Sequence, residues 1–158
     1  MSRKDILESG AKIKQSYEAE PDTNAFTDDE KEKLSNISIL NNLMVACSDM
    51  STQLTTGANK AYLPVPYGFE VLEVKGNLIN PASGSTLLTV DINKNGVSML
   101  STKMTFDSGE KSTLTATNPP VILDGTLVTD DQVTIDIDNV GNVTAGTGLI
   151  ITLIGYQT

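Results

Sequence analysis

The sequence predicts a mainly β protein: an antiparallel, jelly-roll-type β-sandwich preceded by a short helical N-terminal arm. Three observations carry that prediction. From Leu43 onward apolar residues recur with a period of two, in a composition of Thr, Val, Ile, Leu, Gly and Asn broken by frequent turn signals. Before that point the period is helical and the composition charged, with six Lys or Arg against nine Asp or Glu over residues 1–42. Finally, the run Leu149-Ile-Ile-Thr-Leu-Ile154 is apolar on both faces, so its strand needs cover on both sides. The 158 residues therefore divide into an arm, 1–42, and one core-forming domain, 43–158.

In the arm, Ile6, Gly10, Ile13 and Tyr17 follow a 4-3-4 spacing that predicts one helix from about Ser2 to Glu18. Ser2 and Asp5 resemble a capping box, and Pro21 within EPDTN ends the pattern. A second helix, about 27–36, opens on Thr27 as N-cap with Glu30 three residues on, while Asp28 and Asp29 complement the helix dipole. Lys31 stands where a hydrophobic staple would want an apolar partner, leaving Phe26 to pack elsewhere. Helices this short are marginal alone in water, so the arm is expected to dock on another surface or on copies of itself. Ile6, Leu7, Ile13, Tyr17 and Phe26 are its candidate anchoring residues.

In the β domain, Leu88, Val90 and Ile92 alternate with Thr89 and Asp91, and Asn95-Gly96 supplies a hairpin turn before Val97 and Met99 resume the alternation. Val133, Ile135 and Ile137 form a strand whose wet face carries Asp136 and Asp138. Between Phe69 and Leu78 the alternation slips: Phe69 and Val71 share one face and Leu72, Val74, Gly76 and Leu78 the other, as a bulge would produce. Further strands are expected near 43–47, 60–65, 103–106, 112–116, 121–123 and 126–128. The two-faced last strand makes Leu149, Ile151 and Leu153 candidates for an oligomer interface.

Composition narrows the chemistry. A net charge of −9 would repel a phosphate backbone or an anionic membrane, so neither nucleic-acid binding nor membrane insertion is expected. No apolar run marks a signal peptide or approaches the roughly 20 residues needed to span a bilayer. Histidine is absent, which removes the usual proton-transfer group near neutral pH and the ligands on which cupin-type metal chemistry relies. Cys47, alone and without basic neighbours, reads as a buried thiol. Asp91-Ile-Asn93-Lys-Asn95-Gly96 matches the first half of a calcium loop, but Thr102 stands where the closing Glu belongs, and a hairpin explains the same residues. The acidic set Asp130, Asp131, Asp136 and Asp138 reads as a solvated face, and Tyr62, Tyr67 and Phe69 as core or interface aromatics rather than a sugar platform. No cofactor, metal or catalytic residue is expected.

The run Tyr17-Glu-Ala-Glu-Pro-Asp-Thr-Asn-Ala-Phe-Thr-Asp-Asp-Glu-Lys-Glu-Lys-Leu-Ser-Asn-Ile37 resembles a segment that recurs in tailed-bacteriophage fibre and virion surface proteins, where a D-T-N-A-F-T-D-x-E-K-x-K-L stretch precedes a β domain. The remainder, from Val45-Ala-Cys-Ser through Val90-Asp-Ile-Asn, Ile135-Asp-Ile-Asp and Leu153-Ile-Gly, is similar to the compact β domain appended to that segment. The resemblance implies a bacteriophage structural protein, made in the bacterial host cytoplasm and displayed on the virion surface. Its homotrimeric jelly-roll head would be held by residues 1–42 to the major capsid protein or another virion protein. A capsid decoration or short head fibre fits the absence of shaft repeats and long coiled coils. The alternative is a tail-fibre or tail-tip protein that binds a host surface receptor.

Overall fold

The computed structural model describes residues 3–19, 27–35 and 40–158. The chain divides into two compact units, Met1–Ser38 and Ile39–Thr158. The second unit begins ahead of the expected 42/43 boundary, because Leu40, Asn41 and Asn42 already pair in register with Tyr156, Gly155 and Ile154.

The first unit contains α1 (Arg3–Ala19) and α2 (Asp28–Ser35). The reciprocal capping box at α2 forms as expected: the Glu30 N–H donates to Thr27 Oγ1 at 3.2 Å, and the Thr27 N–H donates to Glu30 Oε2 at 2.8 Å. The Thr27 N–H, and then the Thr27 hydroxyl, which also donates to Glu30 Oε2, hold the Glu30 carboxyl below its ordinary pKa. Ser2, Pro21 and Phe26 lie outside the described residues.

The second unit is antiparallel β throughout. Its strands are β1 (Leu40–Ala46), β2 (Gly57–Pro64), β3 (Phe69–Asn77), β4 (Leu88–Lys94), β5 (Val97–Ser98), β6 (Leu100–Thr102), β7 (Met104–Phe106), β8 (Val121–Ile122), β9 (Thr126–Leu127), β10 (Gln132–Asn139) and β11 (Ile150–Gln157). One sheet runs β1-β11-β3-β9, a second runs β2-β10-β4-β5 with β7 also on β4, and β6 pairs with β8. The chain thus passes from one main sheet to the other at each step from β1 through β4, and again from β9 to β11. Asn95 (φ 51°) and Gly96 (φ 82°) make the hairpin turn between β4 and β5, where successive positive φ values match the twist of the flanking strands.

Alternation places Leu43, Phe69, Val71, Val74, Leu127, Ile151 and Leu153 of the first sheet in one core with Leu88, Val90, Ile92, Met104, Phe106, Val133, Ile135 and Ile137 of the second. At about 0.8 kcal/mol per buried CH₂, this shared core is the main stabilising contribution to the domain. The sheets approach closely at Gly76, where a Cβ would stand 2.5 Å from Phe106 Cζ and 2.7 Å from Met104 Sδ.

Two expectations require correction. The bulge in β3 is present, as a register shift against Ile154 and Gly155, but it returns Val74, Gly76 and Leu78 to the core face of Phe69 and Val71 and turns only Leu72 outward. One extra residue resets the alternation by one, which is the physical content of a bulge. Residues 112–116 are not a strand. Thr113–Thr115 is a 3-10 turn whose Ser112 Oγ accepts from the Leu114 N–H, and Thr113 Oγ1 accepts from the Gly76 N–H at 3.0 Å.

The close approach at Gly76 makes a testable contrast. Gly76→Ala should destabilise the β domain by about 1–3 kcal/mol through overpacking. Gly10→Ala, where a Cβ meets nothing within 4 Å, should instead stabilise α1 by about 1 kcal/mol. Urea denaturation followed by circular dichroism reads both.

Candidate interaction surfaces

The arm presents apolar side chains to solvent: Ile13 is 69% exposed and Leu34 58%. Among the described side chains, neither of these two apolar residues is buried by its own charged helix. Ile6, Leu7 and Tyr17 fall on α1 as expected, but their side chains, like the whole of Phe26, lie outside the described residues. Leu34 is an apolar arm position that the spacing argument passed over, since α2 offers no second apolar residue to set a period.

Leu149, Ile151 and Leu153 do not form an outward interface. Their relative exposures are 0%, 0% and 1%, because β11 lies between β1 and β3 and turns this row into the chain's own core. The strand's other row, Ile150, Thr152, Ile154 and Tyr156, is only half-buried and faces outward. The apolar surface that β11 offers a partner is therefore the opposite one from that expected.

The half calcium loop is built into the hairpin. Asp91, 5% exposed, accepts at Oδ1 from Ser98 Oγ (2.6 Å) and the Ile92 N–H (2.9 Å), while its Oδ2 lies 3.0 Å from Lys103 Nζ. Asn95 instead accepts from the Gln132 N–H and donates to Asp131 Oδ1. The two residues thus serve different partners.

The acidic set is likewise committed. Asp138 pairs with Lys103 at 2.6 Å, Asp136 accepts from the Asn59 N–H at 2.7 Å, and Asp131 closes its turn on the Val128 N–H. Asp130 holds a left-handed backbone, φ 71°. Asp131 sits below the ordinary carboxylate pKa, chiefly through the Val128 N–H and then Asn95. Among the described residues no group of three or more His, Cys, Asp or Glu converges to hold a metal, and no helix is long and apolar enough to cross a membrane.

A groove of about 420 Å³ lies where β9 stops pairing with β3 after Glu70, lined by Leu72 and Lys75 on one side and Leu114, Pro119, Pro120 and Val121 on the other. The 3-10 turn and the Pro-Pro pair, neither able to extend a sheet, hold this side of β3 open. Only the bulge and the Pro-Pro pair marked it in sequence. Of the aromatics, Phe69 is core, Tyr67 packs on it with ring centroids 6.4 Å apart, and Tyr62 is exposed.

Two outcomes follow from these surroundings. Burial pushes the Cys47 thiol up to about 12, so a disulfide-exchange reagent at pH 8 should label it only as the domain unfolds; rapid labelling of the native chain would contradict this. Lys103→Met leaves Asp91 buried without its cation, and should destabilise the domain by about 1–3 kcal/mol. Hydrogen bonds to Asp138, then Asp91, raise the Lys103 pKa. Its contribution is therefore full below the unfolded lysine pKa and is lost as pH rises through the folded one. Denaturation midpoints of both proteins across the alkaline range measure that loss.

No family model matches this chain, and neither the curated proteins nor the solved structures contain a match to it.

Proposed function

We propose that this chain is a structural protein of a tailed bacteriophage, displayed on the virion surface as a homotrimeric capsid decoration or short head fibre. It works by attachment and display rather than catalysis. The observation that carries the reading is the separate helical unit: an arm whose second helix is capped and whose Ile13 and Leu34 are exposed, next in the chain to a β domain with its own core. Burying one such side chain on a partner is worth about 1.5–3 kcal/mol, so an arm contributing several of them can anchor a domain that is itself only cargo.

The resemblance of residues 17–37 to the segment that precedes β domains in phage surface proteins supports the same reading. So does the strand order. The interleaving of β1-β11-β3-β9 with β2-β10-β4-β7 is the pattern two Greek keys produce when folded together, which supports a jelly-roll head. The partner of the arm would be the major capsid protein or another virion protein. A second reading, a tail-tip protein that binds a host receptor, is favoured by the open apolar groove beside Leu72 and Leu114.

A chain beginning at Ile39 should remain folded yet fail to bind undecorated capsids of the phage whose genome encodes it, while the full chain binds them saturably. Undiminished binding without the arm would sink the proposal. Saturable binding of the full chain to host cells, with none to capsids, would favour the tail.

A further inference from the structure

The tip of the β4–β5 hairpin carries a chemically reactive pair that the fold holds still. Asn95 is the one asparagine of the chain followed directly by glycine, and both residues of the pair are exposed. Glycine leaves the adjoining backbone nitrogen unshielded by a side chain, and a Cβ placed on Gly96 would meet nothing within 4 Å. The peptide between them is therefore open to water and hydroxide.

The chemistry available there is intramolecular. The Gly96 nitrogen gives its proton to hydroxide and attacks Asn95 Cγ. An N–C bond forms, the Cγ–Nδ2 bond breaks, and the amide nitrogen takes a proton from water and leaves as ammonia. Water then opens the five-membered imide at one carbonyl or the other, leaving aspartate or isoaspartate at this position. Such an attack requires the reacting atoms to be free to reach a near-attack geometry.

In the folded domain Asn95 lacks that freedom. Its Oδ1 accepts from the Gln132 N–H at 2.9 Å, its Nδ2 donates to Asp131 Oδ1 at 2.7 Å, and its backbone N–H donates to the Gln132 carbonyl at 2.8 Å. A backbone N–H only donates and a carboxylate only accepts, so these partners fix which way the amide points. Positive φ at both residues, 51° and 82°, sets the pair in the tight turn. The Asp131 carboxylate also lies against the amide that would gain negative charge as the nitrogen attacks, which disfavours the step.

We infer that Asn95 is a deamidation site locked by the fold: the amide is inert while the hairpin tip stays bonded to the turn at Asp131 and Gln132, and reacts when the tip lifts away. The product cannot remake the link. A carboxylate at position 95 has no hydrogen to donate and sets its charge against Asp131, so a tip that has reacted is held less firmly than before. Each event also adds one negative charge to a chain that carries −9.

The test follows the full chain at pH 8.5 and 37 °C, folded in buffer and unfolded in 6 M guanidinium chloride. Digestion after lysine releases Asn95–Lys103, whose mass gain on exchange of NH2 for OH reads the reaction, while anion-exchange chromatography of the whole chain reads the added charge. The folded chain should convert about tenfold more slowly than the unfolded one, or slower still, because the amide must first break from its partners. Asp131→Ala, folded by circular dichroism, should convert several-fold faster than the folded wild type, and Asn95→Asp should lower the denaturation midpoint. Equal rates in the folded and unfolded wild type would overturn the inference, as would an Asp131→Ala domain that folds and remains as protected as the wild type. Should that variant not fold, the comparison of folded with unfolded wild type decides alone.

Discussion

The β domain depends on one insertion: β11 enters between β1 and β3 and supplies both with their pairing partner. Leu43 meets Leu153 and Val74 meets the same residue from the other side, so one side chain joins three strands across most of the domain sequence. Its neighbours Leu149 and Ile151 complete the row that faces the second sheet. Remove β11 and, among the described residues, β1 has no strand partner, while β3 keeps the short contact with β9 at Phe69 and Glu70 and the bridge from Asn77 to Ser112. Contacts this distant in sequence carry a large loop-closure cost before any burial offsets it, which places the domain among slow-folding β topologies. The bulge opposite Gly155 belongs to the same arrangement, because the Glu70 carbonyl occupies the space a Cβ there would need.

On the second sheet, polar groups do the corresponding work. The Asp91–Lys103–Asp138 set fastens the strand after the hairpin to both β4 and β10, and Asn95 fastens the hairpin tip to the turn at Asp131. Lys94 pairs with Asp124 and also donates to the Thr126 carbonyl, tying β4 to the loop that leads into β9. These residues look chemically eventful in a one-dimensional reading because carboxylates and a lysine converge. Their geometry shows these groups answering one another within the fold.

How much of this was legible in sequence varied with how local the cause was. Thr27 with Glu30, Asn95 with Gly96, and the Val133–Ile137 alternation specify their structures through neighbours a few residues away, and all three form as read. The last strand was legible as a strand and not as a surface. With apolar residues on both faces, a period of two cannot say which row turns inward, and the choice of Ile151 over Ile150 is made by the bulge in β3 and the position of the second sheet. Asn41 and Asn42 hid the start of β1, since polar residues at a strand's beginning look like linker. Thr113-Leu114-Thr115 alternates as well as any strand, and Ser112 capping Leu114 decides against it. The groove beside Leu72 exists only once β9 stops short, and the bulge and the Pro-Pro pair mark its walls without showing that they face each other.

The central place of β11 also bears on how the protein is made. A ribosome must translate past residue 157 and let that segment clear its exit tunnel before the sheet can close, so a chain lacking β11 leaves β1 without its partner and β3 paired only with β9. Products of premature termination upstream of Ile150 are left in that state. The order of strands thus makes closure of this sheet depend on the last strand of the domain.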